Sequence, residues 1–216
     1  MPIEPAHHAP AMPSARTDRR RLGLAHRAFD RLYPAIRVFH ERVRRNTWFS
    51  QITPDAAHAV EAELWLGGAP TYPRDYAFLV EHGIRGVIDI RAEREDDVTF
   101  YAAHDVAYAR FPVPDVHVPD AATITAAVDW IRARVAEGRA VLVHCAKGRS
   151  RSSTVLAAYL VAEHGLEPDT ALALMKSKRR LTKLERRHLR QIEIWAQARA
   201  QGLAVSGVAT GQAPES

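Results

Sequence analysis

The sequence predicts a protein of the α/β or α+β class, in which one sheet is flanked by helices. Two observations predict it. Short β-branched runs alternate with longer stretches of helical periodicity, and no internal repeat interrupts the alternation. The 216 residues, 47% of them hydrophobic, suffice for one globular domain with tails.

Four short apolar runs are predicted to be the strands of this sheet. Each is bounded by glycine, proline or charged residues, as strands commonly are. They are Ala62 to Leu66, Gly86 to Ile90, Ala107 to Phe111 and Ala140 to His144.

Capping residues predict where the first two helices begin and end. Asp120 precedes a periodic run over residues 121–136, and Gly138 follows that run, so Asp120 is predicted to be a helix N-cap. A second helix is predicted over residues 151–164, ending at Gly165.

Two further helices are predicted in the carboxyl half. Pro168 suits the first turn of the next helix, because its missing N–H costs nothing there. Thr182 and Glu185 have the spacing of a capping box and are predicted to begin the last helix.

The chain is predicted to divide into four segments. Residues 1–20 and 202–216 have few large apolar side chains and are predicted to be disordered tails. Residues 21–47 are predicted to be a basic amphipathic helical segment and residues 48–201 a folded domain. No run approaches the roughly 18 apolar residues that a spanning helix needs, and the start lacks an apolar signal core. We therefore expect a cytoplasmic protein that is neither secreted nor membrane-spanning.

The single cysteine, Cys145, stands at the most informative point of the sequence. It follows a buried strand, and after a short loop the helix beginning at Arg151 follows it. A loop in this setting directs backbone N–H groups and the positive helix end at one spot, which suits a phosphate dianion. The residues expected to bind phosphate are Ala146, Lys147, Gly148, Arg149, Ser150 and Arg151.

The same field is expected to activate the thiol. At a helix N-terminus the pKa of Cys145 is expected to fall from ~8.5 to ~4–6. Arg151 carries a planar fork that can bind two phosphate oxygens, as lysine cannot do equally well. A buried structural cysteine is the alternative interpretation, but it does not explain Gly148, Arg151 and the paired serines together.

These residues carry a resemblance to a known family. His144 and Cys145, five intervening residues, Arg151 and Ser152 resemble the signature loop of the protein-tyrosine and dual-specificity phosphatases. The resemblance implies an α/β fold with a mostly parallel sheet of four or five strands. It also implies a metal-free mechanism in which Cys145 becomes a phosphocysteine and Ser152 assists the sulfur as leaving group.

The general acid must come from another segment, because the loop has no carboxyl group. Asp115 lies among Pro112, Pro114 and Pro119, which stiffen the chain around it, and it matches the acid loop of the family. Asp120 is the competing candidate, although its capping role explains it without chemistry. Asp115 as a plain solvated turn residue is a further alternative.

The resemblance extends to one branch of the family over roughly residues 30 to 200. The stretches Tyr33 to Phe49, Leu66 to Pro70 and Gly86 to Ile88 are similar to the mitochondrial-type phosphatidylglycerophosphate phosphatases, and the tails suggest a bacterial version. Glu93 and Glu95 fall where that branch has an acidic loop near the pocket, although their neighbours differ from its usual residues.

The segment from Pro34 to Arg45 is the candidate for membrane contact. Three apolar residues share one helical face there, and basic residues surround it, as in helices that lie on anionic membranes. The basic residues are Arg37, Arg42, Arg44 and Arg45. The alternative is that this face packs on the domain as an ordinary first helix.

The resemblance and the formal net charge of +5 predict a phosphatase for an anionic substrate. The expected reaction is hydrolysis of phosphatidylglycerophosphate by a monomer resting peripherally on the inner membrane. A dual-specificity protein phosphatase and a non-catalytic phosphate-binding module are the alternatives. We expect no nucleic-acid partner and no cofactor. We also expect no metal, because the eleven histidines are scattered without the spacing of metal ligands.

Overall fold

The computed structural model describes residue 37 and residues 47–52 and 62–202. The chain divides into two compact units, residues 1–45 and 46–216. In the first unit Arg37 is helical and buried, at 2% exposed, so this arginine is not available to a membrane surface and that part of the expectation is wrong. Arg42, Arg44, Arg45 and both predicted tails, apart from Gly202, lie outside the described residues.

The second unit is built on a five-stranded sheet, which confirms the predicted α/β class. The strand order is β1-β2-β5-β3-β4, with β1 antiparallel to β2 and all other neighbours parallel. The strands are β1 Phe49–Gln51, β2 Leu64–Gly68, β3 Ile84–Arg91, β4 Ala107–Val113 and β5 Ala140–Cys145. Of these, β1 was not predicted, because three residues are too few to show a period.

The central strand is β5, which pairs with β2 on one side and β3 on the other. Its residues Val141, Leu142 and Val143 are fully buried, as expected for a parallel strand covered on both faces. Its carboxyl end places His144 opposite Asp89 and Cys145 opposite Gly68. Ligands of such sheets bind beyond the carboxyl ends of the strands, so the fold directs attention to this edge.

Six helices accompany the sheet within residues 62–202. They are α1 Pro73–Glu81, α2 Val98–Ala103, α3 Ala121–Ala136, α4 Arg151–His164, α5 Pro168–Lys178 and α6 Arg186–Ala200. The first two were not predicted, and the other four were. Among the described helices none has the length and apolar character that crossing a membrane requires.

The helix caps confirm two predictions and contradict a third. Asp120 accepts the N–H of Thr123 at 2.8 Å as the N-cap of α3, and Gly165 ends α4 at φ 63°. The predicted capping box at Thr182 is wrong, because the N-cap of α6 is Glu185. Residues before it stay in a loop that packs on the β5–α4 connection, where the N–H of Lys183 donates to Arg149 O at 2.8 Å.

Candidate active site

The connection between β5 and α4 surrounds the thiol of Cys145 with donors. Cys145 is 3% exposed, and the hydroxyl of Ser152 donates to its Sγ at 3.3 Å. The backbone N–H groups of Ser152 and Arg149 also donate to the sulfur. Ser152 stands in the first turn of α4 and Arg149 just before the helix, whose unpaired N–H groups and dipole favour negative charge.

The pKa of Cys145 results from two opposing effects. Burial raises it, whereas the Arg151 guanidinium, the Ser152 hydroxyl and the backbone N–H groups lower it further than burial raises it. The net result is a pKa lowered to about 7. The pKa of the thiol is thus lowered, which is the predicted direction, but by less than expected, because the sulfur is desolvated.

The guanidinium of Arg151 is buried and already held by oxygen atoms. Nη1 donates to Glu93 Oε2 and to the carbonyl of Val113, both at 2.8 Å, and Nη2 donates to Glu93 Oε1 at 2.7 Å. Among the described residues no acceptor contacts Nε. Glu93 therefore engages both terminal nitrogens of the guanidinium and does not engage Nε.

The two predicted loop acids lie differently in the structure. Glu93 is about a quarter exposed and forms an ion pair with Arg151. Burial raises the pKa of the Glu93 carboxyl, but the Arg151 guanidinium lowers it more, so the net shift is downward. Conversely, burial lowers the pKa of Arg151, and Glu93, Cys145 and Asp115 together raise it above its usual value. Glu95 is exposed.

Asp115 also contacts Arg151, from the end of β4. Its Oδ1 lies 3.0 Å from Nη2, and its side chain is just over half exposed. The next residue, Val116, has φ 60° and is exposed. A β-branched residue is strained in this left-handed conformation, and such strain collects at functional loops. The competing Asp120 is committed to its helix cap.

Gly148 lets the loop lie directly against β2. It has φ 62°, and a Cβ built on it would lie 2.2 Å from the carbonyl oxygen of Gly67. The N–H of Ala69 donates to Ala146 O on the same side at 3.3 Å. Of the other loop residues, Arg149 is exposed and Lys147 and Ser150 are partly buried. The close approach explains why glycine stands at position 148.

Arg179 holds the connection between β5 and α4 through backbone carbonyls, and the sequence did not predict this role. It is 2% exposed, and it donates from Nε to Gly148 O at 3.1 Å and from Nη2 to Lys147 O at 2.9 Å. Its Nη1 donates to Trp48 O at 3.0 Å, which ties the loop to the segment before β1. In the sequence Arg179 is one member of a basic run, and nothing there marks it as buried.

Arg179→Met is expected to lower the stability by ~3 kcal/mol, because several buried carbonyls lose a charged donor. In a protein of this size that corresponds to roughly 6–12 °C in Tm. Affinity for tungstate, an oxyanion that resembles phosphate, is expected to fall as well. The carbonyls of Gly148 and Lys147 lose their donor, so the loop is no longer held in one conformation. Thermal unfolding and calorimetric titration measure the two effects. The matched control is Arg180→Met, at the neighbouring exposed arginine. Equal losses of stability and tungstate affinity in the two variants would show that Arg179 does not hold the loop.

Comparison with known proteins identifies the family of this site. Residues 64–198 match the family described as dual specificity phosphatase, catalytic domain. The chain belongs to this family. The predicted membership of the cysteine-dependent phosphatases is thereby confirmed, and the chain carries a dual-specificity phosphatase catalytic domain.

Relatives of this dual-specificity phosphatase domain include lipid phosphatases. It is 31% identical to phosphatidylglycerophosphate phosphatase PTPMT1 of Arabidopsis thaliana, over 55% of this chain and 36% of that protein. It is 30% identical to phosphatidylglycerophosphatase and protein-tyrosine phosphatase 1 of Mus musculus, over 65% of this chain and 74% of that protein. The chain thus spans about a third of the plant relative and three quarters of the mouse one.

A solved structure shows the same fold. The crystal structure of PTPMT1 in complex with PI(5)P covers 71% of this chain and 99% of its own, with a TM-score of 0.61 and 25% sequence identity. The mostly parallel five-stranded sheet is therefore that of the dual-specificity phosphatases, as predicted.

Proposed function

We propose that the domain hydrolyses phosphate monoesters through a phosphocysteine. The observation that carries the proposal is the setting of the buried Cys145 thiol, which accepts the hydroxyl of Ser152 at 3.3 Å and whose pKa the charge of Arg151 helps to lower. In the first step Sγ attacks phosphorus, a P–S bond forms, and the bond to the leaving oxygen breaks. Asp115 donates the proton that this oxygen needs.

In the second step a water molecule attacks the phosphocysteine. The P–S bond breaks, inorganic phosphate leaves, and the water proton passes to Asp115, now a base. The Ser152 hydroxyl, 3.3 Å from Sγ, stabilises the departing thiolate. Throughout, Arg151 binds the equatorial phosphate oxygens, and the loop N–H groups supply the remaining donors.

The substrate we propose is phosphatidylglycerophosphate, which is converted to phosphatidylglycerol. Two relatives bear the name of that activity, and the PI(5)P complex of a related structure supports a phosphorylated lipid. Phosphoprotein is the second candidate, because the mouse relative's name also includes protein-tyrosine phosphatase.

A phosphate-release panel tests the substrate. We expect kcat/KM to be highest for phosphatidylglycerophosphate in vesicles, lower for phosphoinositides and lowest for phosphotyrosine peptides, with Cys145→Ser as the blank. A clear preference for peptides over every lipid would establish the second candidate. Absence of release from every substrate, with oxyanion binding retained, would favour a non-catalytic phosphate-binding module.

We also propose peripheral membrane contact through Arg42, Arg44 and Arg45. Each basic residue near an anionic surface adds about 1 kcal/mol to binding. Changing the three to glutamine is expected to reduce sedimentation with anionic vesicles and activity on vesicle-borne lipid, while hydrolysis of a soluble aryl phosphate stays nearly unchanged. Equal losses on both substrates would mean that the segment acts only structurally.

A further inference from the structure

A buried charged cluster lies beside the active site, between the ends of β3 and β5. It consists of Asp89, Arg91, Asp96 and His144, each at most 9% exposed. Arg91 donates from Nε and Nη2 to the two oxygens of Asp89 at 2.8 and 2.9 Å, and it also donates to Asp96 Oδ1. The other oxygen of Asp96 lies 2.8 Å from Nε2 of His144.

The cluster is balanced when His144 is protonated, since two carboxylates then face two cations. Burial lowers the pKa of His144, but Asp96 and Asp89 raise it more, so the net shift is upward. Burial likewise raises the pKa of Asp96, yet His144 and Arg91 bring it down to about 2. Although three ligand atoms of Asp89, Asp96 and His144 lie within 4.8 Å, Arg91 already supplies the cation between the carboxylates.

The cluster closes the loop that carries Glu93. Arg91 ends β3, and Asp96 stands five residues later, so their ion pair joins the two ends of the segment 92–95. Arg110 of β4 holds the same segment by donating to the carbonyls of Arg91 and Ala92 at 3.1 and 2.9 Å. Glu93 lies in this closed loop and forms its ion pair with Arg151 from there.

The loop is thus fastened to both ends of the phosphate-binding connection. Asp96 binds His144, which directly precedes Cys145, and Glu93 binds Arg151, which closes the connection. If Asp96 loses its charge, both its ion pair with Arg91 and its pairing with His144 weaken, and the Glu93 carboxylate no longer holds the terminal edge of the guanidinium in one orientation.

We propose that Asp96 is a positioning residue, which orients the phosphate-binding guanidinium of Arg151 through the loop that carries Glu93. This inference rests on the proposed function, according to which the substrate phosphate binds at Arg151. Asp96 touches no reacting atom, but it sets the orientation of Arg151, which does.

Asp96→Asn tests the proposal through oxyanion binding, which needs no turnover. Calorimetric titration with tungstate is expected to show an affinity about 5- to 10-fold lower than that of the unmodified domain, and kcat/KM for an aryl phosphate is expected to fall by a similar factor. In a Glu93→Gln background, Asp96→Asn is expected to change tungstate affinity less than twofold, because the link it acts through is already broken.

Asp97→Asn is the matched control. Asp97 caps α2 by accepting the N–H of Phe100 at 3.0 Å, but it is exposed and lies outside the cluster. This variant is expected to keep full tungstate affinity. If Asp96→Asn folds poorly, Tyr101→Phe removes only the hydroxyl that donates to Asp96 at 2.8 Å, and a two- to threefold loss of affinity is expected.

Two outcomes would overturn the proposal. One is a lower Tm for Asp96→Asn with tungstate affinity within twofold of the unmodified domain, which indicates a purely structural cluster. The other is a 5- to 10-fold loss of tungstate affinity on adding Asp96→Asn to the Glu93→Gln background, which indicates that Asp96 does not act through Glu93. Failure of the proposed function has a different signature, because the unmodified domain would then bind no tungstate or release no phosphate.

Discussion

Replacing Cys145 with serine is expected to abolish turnover and to preserve oxyanion binding. The serine hydroxyl is not ionised near neutral pH and cannot form the phosphocysteine, whereas the loop N–H groups and Arg151 remain in place. Since the chain has one cysteine, no second thiol can take over the reaction. We expect phosphate release to fall to the background rate, a loss of roughly 10⁴-fold or more.

Phosphate release and tungstate titration are measured on the same Cys145→Ser preparation. Retained turnover would contradict covalent catalysis by this residue. Loss of both turnover and tungstate binding would instead show that the sulfur maintains the loop, and the variant would then say nothing specific about attack on phosphorus.

Replacing Asp115 with asparagine is expected to lower turnover by ~100- to 10,000-fold on alkyl phosphates, which have poor leaving groups. An aryl phosphate with a good leaving group needs little protonation, so a much smaller loss is expected there. The change also removes the ion pair of Asp115 with Arg151. The comparison between two leaving groups isolates the proton transfer from any effect on binding.

Asp120→Asn is the control for this experiment, because asparagine caps helices about as well as aspartate. It is expected to behave like the unmodified domain on both substrates. The acid assignment fails if Asp120→Asn shows the dependence on the leaving group while Asp115→Asn does not.

The parts of the site that arise from local sequence were predictable. An apolar run, a glycine-containing loop and a helix start are contiguous in the chain, so Cys145, Arg151 and their order follow from neighbouring residues. The same holds for Asp120, whose cap depends on residues within one turn. Local patterns of this kind carry most of the information in a single sequence.

The parts that arise from distant contacts were not predictable. Arg179 and Asp96 look like ordinary surface charges until the fold buries them, against carbonyls in one case and His144 in the other. Thr182 shows the opposite error, since a good capping pattern was overridden by a loop that packs on Arg149. The size of the Cys145 pKa shift was not predictable either, because residues distant in the sequence bury the sulfur and desolvate it.

In the resting site Asp115 serves as a counterion to the guanidinium that the phosphate needs. A substrate dianion at Arg151 competes with this carboxylate for the same positive charge, so the side chain of Asp115 must move away from Nη2 when the phosphate binds. Its exposed position beside Val116 leaves room for that movement. Arrival of the phosphate and delivery of the acid to the leaving oxygen are then one conformational step.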